Sequence, residues 1–243
     1  MKMYSAYIKT LSHFVIFTFV FLFIISCTKN NSNYIINPGI TLDTSKSYLA
    51  LGDSYTIGES VSDTDRFPAQ VVKLLREHKI DITNPDIIAI TGWTTGNLLN
   101  ALNSNPPKKT YSVVTLLIGV NNQYQGKSLN EYKTEFIQLL NSAISYAGNK
   151  KNHVFVLSIP DYSVTPFARG SDTGKIAKEI DAFNVANKDI SLNAGVHYID
   201  ITPISRDAKN DPALIANDGL HPSGIQYKKW SELLVPIMLQ EIH

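Results

Sequence analysis

The chain has 243 residues, 44% of them hydrophobic and 18% charged, with 22 Lys and Arg against 21 Asp and Glu. That balance fits a globular protein with one sizeable core and excludes a disordered polyelectrolyte. With a formal net charge of +1 and no long basic run, nothing marks a nucleic-acid partner or an affinity for anionic membrane surfaces.

Lys2 and Lys9 precede an apolar run over 14–25, which is followed by Ser26 and Cys27. A positive start, a short apolar stretch and a small residue together spell an export signal. The run is about a dozen residues, broken by Thr18, where a membrane-spanning helix needs about 20, so an uncleaved anchor is the weaker alternative. Residues 24–27, Ile-Ile-Ser-Cys, resemble the lipobox of bacterial lipoproteins, in which the cysteine becomes the lipidated first residue of the mature protein. Cys27 is the only cysteine, so no disulfide can form within the chain, and lipidation explains a lone thiol in an exported protein. The alternative is a chance cysteine behind an ordinary signal. The expected organisation is a lipoprotein signal peptide over 1–26, a flexible tether rich in Asn, Ser and Lys over 27–44, and one domain over 45–243. The protein is expected in the cell envelope, held to a membrane through a lipid anchor at Cys27. Cleavage there removes Lys2 and Lys9 and leaves 20 Lys and Arg against 21 Asp and Glu, close to neutral.

Within the domain, apolar runs over 48–51, 87–90, 112–118, 154–159 and 196–201 read as strands. Between and after them, apolar residues at spacings of three and four predict helices over 66–78, 97–103, 128–147, 174–193 and 223–242. Pro236 is expected to kink or end the last. Gly126-Lys127-Ser128 looks like the end of a phosphate-binding loop, but Asn121 stands where the first glycine of that motif belongs, so it reads as a helix entry. Five strands alternating with five helices predict one α/β domain with a parallel sheet flanked by helices on both sides. In such folds ligands collect outside the carboxyl ends of the strands.

Four polar clusters fall there or before the last helix: Gly52-Asp53-Ser54, Gly92, Gly119-Val120-Asn121-Asn122 and Asp218-Gly219-Leu220-His221. Nucleophilic acyl transfer needs a hydroxyl, a base to take its proton, a carboxylate to orient the base and donors aimed at the developing oxyanion. Each requirement has a candidate here. Taken singly each cluster also has a plainer reading: Gly-Asp-Ser as a helix cap, Gly-x-Asn as a turn, Asp-x-x-His as a capping pair.

In this order the four blocks resemble the SGNH or GDSL hydrolases. The resemblance implies a three-layer α/β/α sandwich, flavodoxin-like, around a central parallel five-stranded sheet. It implies Ser54 as nucleophile, His221 as general base and then acid, and Asp218 as the group orienting His221. The oxyanion would be held by the backbone N–H groups of Ser54 and Gly92 and the side-chain amide of Asn121. The third block commonly reads Gly-x-Asn-Asp, and Asn122 stands where the Asp would be. Asp53, beside the nucleophile, is expected to brace the loop rather than join the triad.

The leading expectation is a serine esterase cleaving acyl or acetyl esters, and the rival a catalytically idle binding module of the same fold. No cofactor is expected: there is no Gly-x-Gly-x-x-Gly, and no pair of histidines stands at metal-ligand spacing. Trp93, Tyr124, Tyr162 and Phe167 lie in loops expected to ring the site, where aromatics can stack on a sugar or line an acyl channel. A small-molecule, glycan or lipid ester is the expected substrate.

Overall fold

The computed structural model describes residues 45–242. The expected signal, Cys27 and the whole tether lie outside them. In chain order the elements are β1 (Tyr48–Gly52), α1 (Ser54–Ile57), α2 (Phe67–Glu77), β2 (Asp86–Ala89), α3 (Thr95–Ser104), β3 (Val113–Leu117), α4 (Val120–Tyr124), α5 (Leu129–Tyr146), β4 (Val154–Leu157), α6 (Thr173–Ala194), β5 (His197–Ile199), α7 (Thr202–Asp207) and α8 (Gly224–Glu241).

The five strands pair in parallel in the order β2-β1-β3-β4-β5. β1, β3 and β4 are buried along their whole length, which is why their sequences are nearly continuous apolar runs rather than alternating ones. The edge strands β2 and β5 are only partly buried and mix polar residues in. Helices α2 and α8 pack against each other, and α5 packs with α3 and α6, giving the sandwich its two outer layers. Fully burying a Leu or Phe side chain contributes roughly 1.5–3 kcal/mol, so the sheet's inner strands and the buried Phe67, Leu75, Phe136 and Trp230 are the main source of cohesion.

The chain passes from β1 to β2 on one side and then to β3 on the other, so the connection reverses between β1 and β3. A crevice opens beyond the carboxyl ends of strands at such a reversal. α1 begins two residues after β1 ends, and α4 three residues after β3 ends.

Three short helices, α1, α4 and α7, were not expected from the sequence, and α8 is not ended by Pro236. The carbonyl that Pro236 leaves without a helical partner belongs to Glu232, on the solvent face, where water can take it. Leu234, Val235 and Met238 meanwhile fix the helix on its buried side. Ser128 opens α5 as a side-chain cap, accepting from the Glu131 N–H at 3.1 Å, so the 126–128 segment is the helix entry that was expected.

Candidate active site

Gly52 ends β1 with its Cα pressed against the next helix. A Cβ there would lie 2.1 Å from Thr56 Oγ1 and 2.4 Å from the Leu117 carbonyl oxygen, so only glycine lets the chain turn so tightly into α1. Asp53 caps that helix: its carboxylate accepts from the Tyr55 N–H at 3.0 Å. Asp53 is fully buried, and burial pushes its carboxyl up to about 7 despite the backbone hydrogen bonds that favour the charged form. Ser54 is the first residue of α1, where backbone N–H groups have no intrahelical partner. It is 4% exposed.

On the far side of the sequence, residues 215–222 form a narrow loop closed by a bridge between Ile215 and Pro222 and by the Ala216 N–H bound to the His221 carbonyl at 2.7 Å. Asp218 folds back on this loop as an Asx turn, with Oδ1 accepting from the N–H groups of Leu220 at 2.9 Å and His221 at 3.0 Å. Its Oδ2 meets His221 Nδ1 at 2.5 Å and accepts from Ser60 Oγ at 2.8 Å. Partial burial acts to raise the Asp218 carboxyl, but the hydrogen bonds from His221, the loop backbone and Ser60 outweigh it and hold the group at about 2. The Tyr55 ring packs against the imidazole at a tilt of 59°, centroids 5.2 Å apart, with Trp230 next to Tyr55.

Between these two parts lies a cleft of about 80 Å³, lined by Ser54, Tyr55, Val120, Asn121, Tyr124, Tyr162, Phe167, Leu220 and His221. It therefore gathers a hydroxyl, an imidazole and a carboxamide from positions 54, 221 and 121 in one small space. One N–H of the Asn121 side chain is bound to the Trp93 carbonyl at 3.0 Å, which aims the amide and leaves its second N–H for a ligand.

Not every expected residue reaches the cleft. Tyr124, Tyr162 and Phe167 line it and contact one another, with centroids 5.9 to 6.2 Å apart. Trp93 and Gly92 do not line it. Trp93, partly buried, packs against the core, and its carbonyl accepts from the Asn121 amide. Gly92 sits in the same turn with φ of +82°, its carbonyl accepting from Gln125 Nε2 at 3.2 Å.

Several residues that no motif flagged support the site. Ser60 braces Asp218, and its neighbour Glu59 accepts from Thr91 Oγ1, tying the segment after α1 to the Gly92 turn. Phe167 is held to the Asp218 loop by its N–H on the Gly219 carbonyl at 2.9 Å. Gly219 has φ of +74°, and a Cβ there would approach Pro166 to 3.3 Å, so the aromatic lip and the histidine loop meet at a glycine. Among the described residues no group of three or more His, Cys, Asp or Glu is placed to hold a metal ion.

Solved structures of low identity share this fold. They include the lipase Lip_vut3 from a goat rumen metagenome (20% identical, TM-score 0.64, covering 79% of this chain and 97% of that one). The psychrotrophic esterase EstA from Pseudoalteromonas sp. is 18% identical, with a TM-score of 0.58 over 82% of this chain and 97% of that one. Axe2, an acetylxylan esterase from Geobacillus stearothermophilus, is 20% identical, with a TM-score of 0.57 over 81% of this chain and 94% of that one. Among curated proteins none matches the sequence. The model of the GDSL-like Lipase/Acylhydrolase family matches residues 50–229, from the strand before Ser54 to the helix after His221, and the chain belongs to that family of ester hydrolases.

Proposed function

We propose that the protein is a carboxylic-ester hydrolase working through an acyl-enzyme on Ser54, with His221 as base and acid and Asp218 as its orienting carboxylate. The observation that carries this is the shared cleft: Ser54 and His221 line it together, and the imidazole is held from behind by Asp218 at 2.5 Å.

In the reaction Ser54 Oγ attacks the ester carbonyl carbon while its proton passes to His221 Nε2. Nδ1–H is retained on Asp218, which fixes the tautomer and stabilises the imidazolium. The carbonyl oxygen, now an oxyanion, is received by the free N–H of the Asn121 amide and by the Ser54 backbone N–H, with the Gly92 N–H as the third donor of the family pattern. Collapse expels the alcohol, which takes the proton from Nε2. Water then repeats the sequence on acyl-Ser54 and releases the acid.

The cleft's dimensions favour a short acyl group. A water-sized group occupies roughly 10–15 Å³ of such a cavity, and about 80 Å³ therefore admits only a few non-hydrogen atoms. Tyr124 and Phe167, 59% and 46% exposed at its lip, offer a stacking surface to the alcohol portion, as a sugar or aromatic ring would use. The N-terminal reading extends this to an exported lipoprotein carrying its lipid at Cys27, which Cys27→Ala would release from the membrane fraction.

A series of p-nitrophenyl esters from acetate to laurate, with lysophospholipid and acetylated xylan alongside, tests the function. The expected result is hydrolysis that is fastest at two to four acyl carbons and abolished by Ser54→Ala. Parental rates in Ser54→Ala would overturn it.

A further inference from the structure

Asn122 is fully buried, adjoins Asn121 on α4, and takes no place in the cleft lining. Its side chain makes two hydrogen bonds to a single residue of α3: Oδ1 accepts from the Thr95 N–H at 2.9 Å, and Nδ2 donates to Thr95 Oγ1 at 2.6 Å. Thr95 Oγ1, itself fully buried, donates its one hydrogen to Glu135 Oε2 on α5 at 2.5 Å. The room for that carboxylate comes from Gly96, where a Cβ would stand 2.9 Å from Glu135 Oε1.

A hydroxyl has one hydrogen to give. Since Thr95 gives it to Glu135, it can only accept from position 122, and an amide supplies the donor that a carboxylate lacks. With an aspartate at 122, two carboxylates would compete for one hydroxyl hydrogen; Oδ1 would keep the Thr95 N–H, but the second aspartate oxygen would be buried without a donor. The direction of the chain, Asn122 to Thr95 to Glu135, is thus set by the pair of residues at its ends.

The same contact holds the site. α4 is tied to the 92–95 turn by Asn122 on Thr95 and by Asn121 on the Trp93 carbonyl at 3.0 Å. Loosening the first frees the second, and with it the aim of the Asn121 amide.

We propose that Asn122 and Glu135 are coupled positioning residues: a directional hydrogen-bond relay through Thr95 that orients Asn121, in which Asn122 departs from the usual aspartate because Glu135 occupies the accepting end. The catalytic part of this inference rests on the esterase reading above. The relay itself does not.

The test is a double-mutant cycle of Asn122→Asp and Glu135→Gln in the full chain, read both as kcat and KM on p-nitrophenyl acetate and as Tm. Asn122→Asp is expected to lower kcat about tenfold with KM within about twofold, and Tm by roughly 5 °C. Adding Glu135→Gln reverses the relay, since the new amide donates to Thr95 and Thr95 donates to the new carboxylate, and is expected to bring kcat back within about threefold of the parent and Tm with it. Additive losses in the double variant would overturn the relay. Coupling in Tm with kcat unchanged throughout would overturn the positioning role. Should Asn122→Asp alone not fold, a folded and active double variant supports the relay, and an unfolded one rejects it. A parent inactive on every ester would sink the esterase reading, and the Tm cycle would still decide the relay by the same additivity criterion.

Discussion

Ser60 donates its hydroxyl to Asp218 Oδ2 at 2.8 Å, the same oxygen that faces His221 Nδ1 at 2.5 Å. The two residues are 158 positions apart, and Ser60 reaches Asp218 from a left-handed backbone conformation, φ +65°, that side-chain-bearing residues seldom adopt. Ser60 thus gives the Asp218 carboxylate a donor from outside the loop that carries it.

Removing that hydroxyl should loosen the Asp218–His221 pair without touching the substrate. Ser60→Ala and Ser60→Gly are both expected to lower kcat by about tenfold with KM little changed, as loss of a hydrogen bond to a charged group costs roughly 1.5–3 kcal/mol when buried and less here. Stability separates the two. Glycine adopts a positive φ freely and alanine does not, so Ser60→Gly should melt above Ser60→Ala, which differential scanning calorimetry would read.

In the proposed mechanism the free N–H of the Asn121 amide receives the oxyanion. Asn121→Ala is expected to lower kcat by about a hundredfold to a thousandfold, with KM changed by less than about threefold, in steady-state kinetics on a short p-nitrophenyl ester.

Two carboxyl groups at the cleft, the buried Asp53 beside Ser54 and the partly exposed Asp218 beside His221, should give opposite pH signatures. Asp53 has its folded carboxyl raised to about 7, so the folded state binds the extra proton between about pH 4 and 7, and stability falls as pH rises through that window and levels off above it. Asp218 has its folded carboxyl lowered to about 2, so its contribution is complete above about pH 4 and is lost as pH falls toward 2. Asp53→Asn retains an oxygen for the Tyr55 N–H and should flatten the pH 4 to 7 slope in urea unfolding while leaving the acid limb in place.

Phe167 is half exposed, its ring packs with Tyr124 and Tyr162, and its tie to the histidine loop is the backbone N–H on Gly219, which survives removal of the ring. Phe167→Ala should raise KM severalfold for esters with a sugar or aromatic alcohol, leave kcat within about twofold, and leave the melting temperature nearly unchanged, as kinetics on matched alkyl and aryl acetates would show.

Much of this architecture is legible in the sequence because burial writes itself as hydrophobic period. The runs at 48–51, 112–118 and 154–159 are apolar throughout because the strands they contain, β1, β3 and β4, are covered on both faces, and α5 shows a 3.6 period because one side meets the sheet. The helices α1, α4 and α7 have four, five and six residues, too few for a period to register, yet α1 and α4 are the ones that present Ser54 and Asn121. Pro236 does not end α8, since the cost of a proline depends on which carbonyl it orphans, and here that carbonyl belongs to the exposed Glu232. Trp93 lies outside the cleft lining, partly buried against the core, because an aromatic in a loop can also pack inward, which loop position alone does not reveal. The contacts that steady the site, Ser60 with Asp218 and Asn122 with Thr95 and Glu135, join residues distant in sequence through polar atoms, and no local pattern announces them.

The nucleophilic role of Ser54 is tested most directly by incubating the parent protein with a fluorophosphonate and locating the adduct by peptide mass spectrometry. The expected result is stoichiometric modification of Ser54, lost in His221→Ala with the circular dichroism spectrum unchanged. An unlabelled Ser54 in folded parent protein, or equal labelling in His221→Ala, would contradict it.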